Sequence, residues 1–265
     1  MGVLFDFWSL NFNLIRSLVD LIKSLELQGT TLSFSMISLQ DILNLNNKAV
    51  AQHQSNDMCG AAKTYYESLC LVKELLKCTT STPRQGSRLS HHATNTLPQH
   101  ESFHTSTETS RNITKQGLLF VYQGALVLQE APSCGAEHRV QFMNIYCAGI
   151  LFNTAILHHQ KSIETGTSAS MHRAEQLYQA SLQLIVGLPR SNDTVALIAL
   201  AATNNLAQIE FEKGLVMQAS ERLRFLVHLL CSLESTAGRV VTVDEFHGML
   251  SNTLLANGVS SSPAA

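Results

Sequence analysis

His100, Glu101 and His104 spell H-E-x-x-H. On a helix, two histidines so spaced stand one turn apart and can ligate zinc, while the glutamate acts on the metal-bound water. That chemistry needs a rigid helix with a buried face. Here Leu97-Pro98-Gln99 precedes the string and Thr105-Ser106-Thr107 follows it, with no apolar stripe alongside and no Gly-x-x-His continuation. Histidines also crowd the neighbourhood (His91, His92, His100 and His104), which raises the rate of chance matches. A zinc-dependent hydrolase is therefore the alternative reading, and no catalytic residue, metal site or cofactor is assigned. The adjacent His158 and His159 fall on a helical pattern, where neighbouring side chains diverge. One ring is expected to be partly buried and the other exposed. Phosphate-binding glycine loops and a nucleophile elbow are absent from the sequence. Asn112-Ile113-Thr114 and Asn192-Asp193-Thr194 match the glycosylation triplet; with no secretory signal expected, both are expected to be chance matches.

The six cysteines (Cys59, Cys70, Cys78, Cys134, Cys147 and Cys231) include no Cys-x-x-Cys pair. They read as small buried hydrophobes within helical patterns, not as metal ligands or a disulfide framework.

The elements that would position any site follow from composition and periodicity. The chain has 265 residues and a net charge of -2, with 14% charged residues, against about 25% in an average soluble domain. It has no basic surplus for nucleic acid. Residues 1–36 hold an amphipathic helix and a connector: Leu14, Leu18, Leu21 and Leu25 recur at helical spacing, with Arg16, Asp20 and Lys23 between them. Those charges argue against a membrane span. The helix is expected to pack on the body of the protein or to mediate self-association. An intracellular, cytoplasmic setting is the expectation.

Residues 37–78 read as a helical hairpin broken near Ser55-Asn56-Asp57. Residues 79–114 hold 15 Ser/Thr among 36 residues and few aliphatics. Such a stretch cannot bury enough apolar surface to offset its ordering entropy, and is predicted to be disordered. Residues 117–128, apolar and bounded by glycine and Pro132, read as an extended or strand segment. Helices are predicted over 138–163, 170–187, 193–213, 216–234 and 243–256, the last opened by a capping box of Thr242 and Glu245. Residues 258–265 form a tail.

An internal repeat underlies the helices. Asn47-Lys48-Ala49, Asn153-Thr154-Ala155 and Asn205-Leu206-Ala207 share an Asn-x-Ala triplet. Ala61 and Ala219 each follow their asparagine by 14 residues, and Ala174 follows by 21, across a seven-residue insertion. Ala61, Tyr65, Ser68 and Leu69 then match Ala174, Tyr178, Ser181 and Leu182; the third copy runs Ala219, Leu223, Leu226 and Val227. Those spacings lie on one helix face, as in hairpins that must stack to bury their apolar sides.

This pattern resembles the tetratricopeptide repeat (TPR), whose second helix carries the alanine, aromatic and small residue at these offsets. The tryptophan position of that family is Leu45 in the first copy and Thr203 in the third, and the closing proline is displaced to Pro189. The Phe120-Val121-Tyr122 segment ahead of Leu151-Phe152-Asn153 is also similar to a TPR-like group from diatoms. The resemblance implies an all-α, TPR-like short solenoid acting as a non-catalytic protein-interaction scaffold, with a protein or peptide as its partner. Transferred by position, it puts Asn46, His53, Gln54, His159, Gln160, Asn204, Gln208 and Glu212 on a concave partner-binding groove. Asn47, Asn153 and Asn205 are expected to bond neighbouring helices. The groove lacks the basic ring with which TPR clamps hold chaperone carboxylates.

Overall fold

The computed structural model describes residues 39–80, 119–129, 136–232 and 240–260. The N-terminal helix, most of the Ser/Thr tract, the H-E-x-x-H string and the end of the tail lie outside the described residues. Those described form seven helices and one extended segment. The helices are α1 (Leu39–Gln54), α2 (Met58–Thr80), α3 (Ala136–Thr165), α4 (Ser168–Ile185), α5 (Asp193–Glu212), α6 (Val216–Ser232) and α7 (Val243–Ser260). The fold is all-α among these residues.

Side-chain caps explain several helix starts. The Asp57 carboxylate accepts the Gly60 N–H at 2.9 Å at the start of α2. The Asn192 side chain accepts the Val195 N–H at 3.1 Å at the start of α5. This asparagine belongs to one of the two glycosylation-like triplets, and its amide oxygen serves as a helix cap. The capping box of α7 is complete: Thr242 N–H donates to Glu245 Oε2 at 2.8 Å, and Glu245 N–H donates to Thr242 Oγ1 at 3.3 Å.

Each helix packs mainly on its chain neighbours, and α3 also meets α1 and α5. The central helices are enclosed on every side. In α5 every residue from Thr194 to Glu210 is buried, and in α3 the buried run extends from Met143 to His159. A helix that is buried all round has no solvated face for charges, which accounts for part of the low charged fraction. Both histidines of the His158-His159 pair belong to that buried run. The expectation of one exposed ring is thereby corrected: α3 has neighbours on both flanks, so diverging side chains still meet protein. The cysteine expectation also changes. Cys147 is buried and Cys70 half-buried, but Cys59 and Cys231 are exposed. These two stand on solvent faces of α2 and α6, which sequence proximity to apolar residues does not reveal.

The repeat has a counterpart in three dimensions. Ala61, Ala174 and Ala219 are all buried. The Ser68 hydroxyl donates to the Ile42 carbonyl at 3.1 Å, and the Ser181 hydroxyl donates to the Ala148 carbonyl at 2.8 Å. Ile42 and Ala148 each lie five residues before the asparagine of their copy. The first two copies thus close their hairpins with the same bond at the same register.

Candidate functional site

Leu119–Gln129 crosses the face built by α1, α3, α5 and α7. No helical ladder or sheet partner satisfies its backbone among the described residues, and the strand alternative for this segment is corrected accordingly: the chain is extended, but asparagine side chains take the place of a neighbouring strand. A primary amide offers one acceptor and two donors and can close on the N–H and C=O of one extended residue.

Four asparagines do this. Asn252 accepts the Phe120 N–H at 2.7 Å and donates to the Phe120 carbonyl at 2.8 Å. Asn205 treats Tyr122 likewise at 2.8 and 2.9 Å. Asn153 treats Leu126 at 2.7 and 2.9 Å, and Asn47 treats Leu128 at 3.0 and 2.8 Å. Two further asparagines brace the ladder. Asn204 donates to the Phe120 carbonyl at 3.0 Å, and Asn46 to the Leu126 carbonyl at 3.2 Å. Asn46 of α1 thus reaches the residue clasped by α3, and Asn204 of α5 the residue clasped by α7, and these braces also connect side chains across helices: Asn153 donates to Asn46, and Asn252 to Asn204. In the second copy Phe152 stands where the bracing asparagine would be, and its ring lies 6.1 Å from the Tyr122 ring.

The segment runs opposite to the helix order, from α7 at Phe120 to α1 at Leu128. Clasped residues are separated by two, four and two positions. At about 3.3 Å per residue these steps span about 7, 13 and 7 Å of extended chain. Gly124 occupies the wide central step, where a Cβ would lie 2.6 Å from the Tyr122 hydroxyl. Phe120 is met so closely by α7 that a Cβ on Gly248 would stand 2.4 Å from its ring.

The expected groove residues divide into two rows. Asn46 and Asn204 hold the segment. Gln54, Gln160 and Glu212 each stand seven residues after a clasping asparagine, hence on the same helix face and about 10 Å further along at 1.5 Å per residue. Gln54 and Glu212 are exposed and Gln160 is half-buried. His53, His159 and Gln208 are buried beside them. His53 Nε2 donates to Gln160 Oε1 at 2.5 Å, joining α1 to α3, and Gln208 donates to Glu212. His159 lies against the Tyr178 ring, with centroids 5.9 Å apart. Burial lowers the pKa of His53, and pushes His158 down to about 3 and His159 down to about 4. These rings are neutral at pH 7. Loss of solvent also raises the Glu212 carboxyl.

Asn205 bonds a neighbouring helix, donating to the Tyr178 hydroxyl of α4 at 2.9 Å, and Asn153 donates to Asn46 of α1, but among the described residues Asn47 bonds only its own helix and the segment, and the larger part of the bonding of all three goes to the segment. Asn252 was missed by the triplet. Its signal is present as Asn252-Thr253-Leu254, which shares Asn-Thr with Asn153-Thr154 but has leucine in place of alanine. Among the described residues, no group of three or more His, Cys, Asp or Glu could hold a metal ion, and no helix is long and apolar enough to cross a membrane.

Comparison of the chain with protein-family models, with curated proteins and with solved structures returned no match.

Proposed function

We propose that this protein is a non-catalytic interaction scaffold, a short solenoid of TPR-like hairpins whose α1–α3–α5–α7 face holds extended polypeptide. The observation that carries the reading is the asparagine ladder: four successive odd-numbered helices each present a bidentate amide at the same register, and the object they grip is an extended backbone. Main-chain recognition of this kind supplies affinity, and pockets for alternate side chains supply selectivity. The second row, Gln54, Gln160 and Glu212, is the part of this face left open to a partner beside the resident segment. A cytoplasmic setting suits such a scaffold, in which Cys59, Cys70, Cys147 and Cys231 are free thiols.

Photo-crosslinking in the native cell tests the proposal. A crosslinking residue at Gln54 or Glu212 should capture discrete protein adducts. The same residue at Lys63 or Glu221, exposed positions on α2 and α6, should not. Equal adducts at all four positions would remove the scaffold reading of this face.

A further inference from the structure

The segment in the ladder is itself a description of what the ladder accepts. We infer that Leu119–Gln129 is an exchangeable internal occupant, and that the same groove takes in trans an extended, uncharged peptide with bulky apolar residues at four positions and glycine at the centre. This deepens the scaffold reading and rests on it.

The ten hydrogen bonds between asparagines and segment all end on main-chain N–H and C=O groups of Phe120, Tyr122, Leu126 and Leu128. They are blind to side-chain identity and could hold any extended chain in this register. Selectivity comes from the side chains at those positions. Tyr122, Leu126 and Leu128 are buried, whereas Phe120 and the alternate residues Val121, Gln123, Ala125 and Val127 are half-buried; the Phe120 ring is set apart by its close approach to Gly248. Glycine is set by the Tyr122 hydroxyl folding over position 124. The ligand pattern is therefore aromatic-x-aromatic-x-Gly-x-Leu-x-Leu, and the six asparagines supply no charge with which to attract an ionic partner.

Exchange is geometrically open. No backbone–backbone hydrogen bond ties the segment to a helix among the described residues. Residues 81–118 separate it from α2, and residues 130–135 from α3. Six residues span at most about 20 Å, so a displaced segment stays tethered within reach of the face. A covalently tethered occupant competes at high effective concentration. A trans peptide should then bind the native chain poorly and bind well once the tethered copy is weakened.

The test uses the full chain and a fluorescein-labelled peptide of sequence Leu118–Gln129, read by anisotropy. Tyr122→Ala removes the main anchor of the resident copy and leaves every groove residue in place. It should bind the peptide at least tenfold more tightly than the native chain. Asn205→Ala added to it should abolish that gain, and a peptide with valine in place of its glycine should bind at least tenfold less well. Raising salt from 50 to 500 mM should shift the affinity less than twofold. Gly124→Ala is the milder second variant, which disturbs the resident copy by crowding the Tyr122 hydroxyl and ring.

No gain in peptide binding by folded Tyr122→Ala and Gly124→Ala proteins would overturn the inference. So would loss of the native circular dichroism in both, because the segment would then be core and not occupant. A gain accompanied by doubling of the sedimentation mass would overturn it in favour of a second copy as the natural occupant. Crosslinks at Gln54 and Glu212 do not depend on displacement. Adducts there without peptide exchange would sink exchange and leave the scaffold reading standing.

Discussion

Asn205→Ala isolates the ladder most sharply. The native side chain accepts the Tyr122 N–H and donates to the Tyr122 carbonyl and the Tyr178 hydroxyl, all within 2.9 Å. It is fully buried, and so is Tyr122. Alanine would leave the N–H and C=O of Tyr122 without partners where water does not reach. An unsatisfied buried polar group costs about 1–3 kcal/mol. The Tyr178 hydroxyl loses less, because it keeps its hydrogen bond to His159 Nδ1, 3.4 Å away. The loss should therefore be roughly 2–5 kcal/mol, a large fraction of a typical 5–15 kcal/mol stability. Asn47→Ala removes the same pair of bonds, from Leu128, at a half-buried site. Water can replace the amide there, so the loss should be about 1 kcal/mol. Urea unfolding at pH 7 compares the two at constant slope. Native-state hydrogen exchange should show slow amides at 120, 122, 126 and 128, with Tyr122 accelerated selectively in Asn205→Ala. Equal losses for the two variants, or exchange that ignores the alternation, would refute the argument that burial of the clasping asparagine sets the energetics.

Acid should destabilise the fold through its central histidines. His158 and His159 titrate at about 3 and about 4 when folded, against about 6.5 unfolded. The unfolded chain therefore binds more protons below pH 6.5, and stability present above that pH is lost as it falls towards 4, by up to about 2.7 kcal/mol per pH unit for two sites. Urea midpoints between pH 7 and 4.5 should fall accordingly, and a His158→Gln/His159→Gln variant should show a flatter profile. Arg222→Ala strands the buried Glu210 carboxylate, which the guanidinium binds with Nε at 2.9 Å and Nη2 at 2.5 Å. Since the arginine is 28% exposed, a loss of about 2 kcal/mol in thermal unfolding is expected, below the full cost of breaking a buried pair. Gly248→Ala forces the Phe120 ring to move, for a loss of about 1–3 kcal/mol, and should accelerate exchange of the Phe120 amide more than that of Leu128. Asn192→Ala removes the cap of α5 and should lower stability by about 1 kcal/mol, with no change in exchange along the segment.

The limits of the sequence are clearest at the asparagines. Asn46, Asn47, Asn204 and Asn205 sit in apolar helical runs, and an amide in such a run must find partners wherever it is buried. The sequence shows that need but not the partner, because the bonded residues lie about 80 positions away in Leu126, Leu128, Phe120 and Tyr122. Gln54 and Glu212, transferred from the repeat resemblance, are exposed on α1 and α5. Periodicity misplaces the exposure of the His158-His159 pair and of Cys59, because burial of a helix flank depends on which neighbours pack there.

Local sequence specifies the helices, the capping box of α7 and the repeat, since each depends on neighbours a few residues apart: the 3.6-residue period, the Thr242–Glu245 box, and the alanine, aromatic and serine offsets of the first two copies. It also marked residues 117–128 as extended. Tertiary structure decided what that segment does. Only the stacking of α1, α3, α5 and α7 brings asparagines from four distant stretches into one row, at a spacing that an extended backbone can match, and only burial makes their amides worth more to that backbone than water.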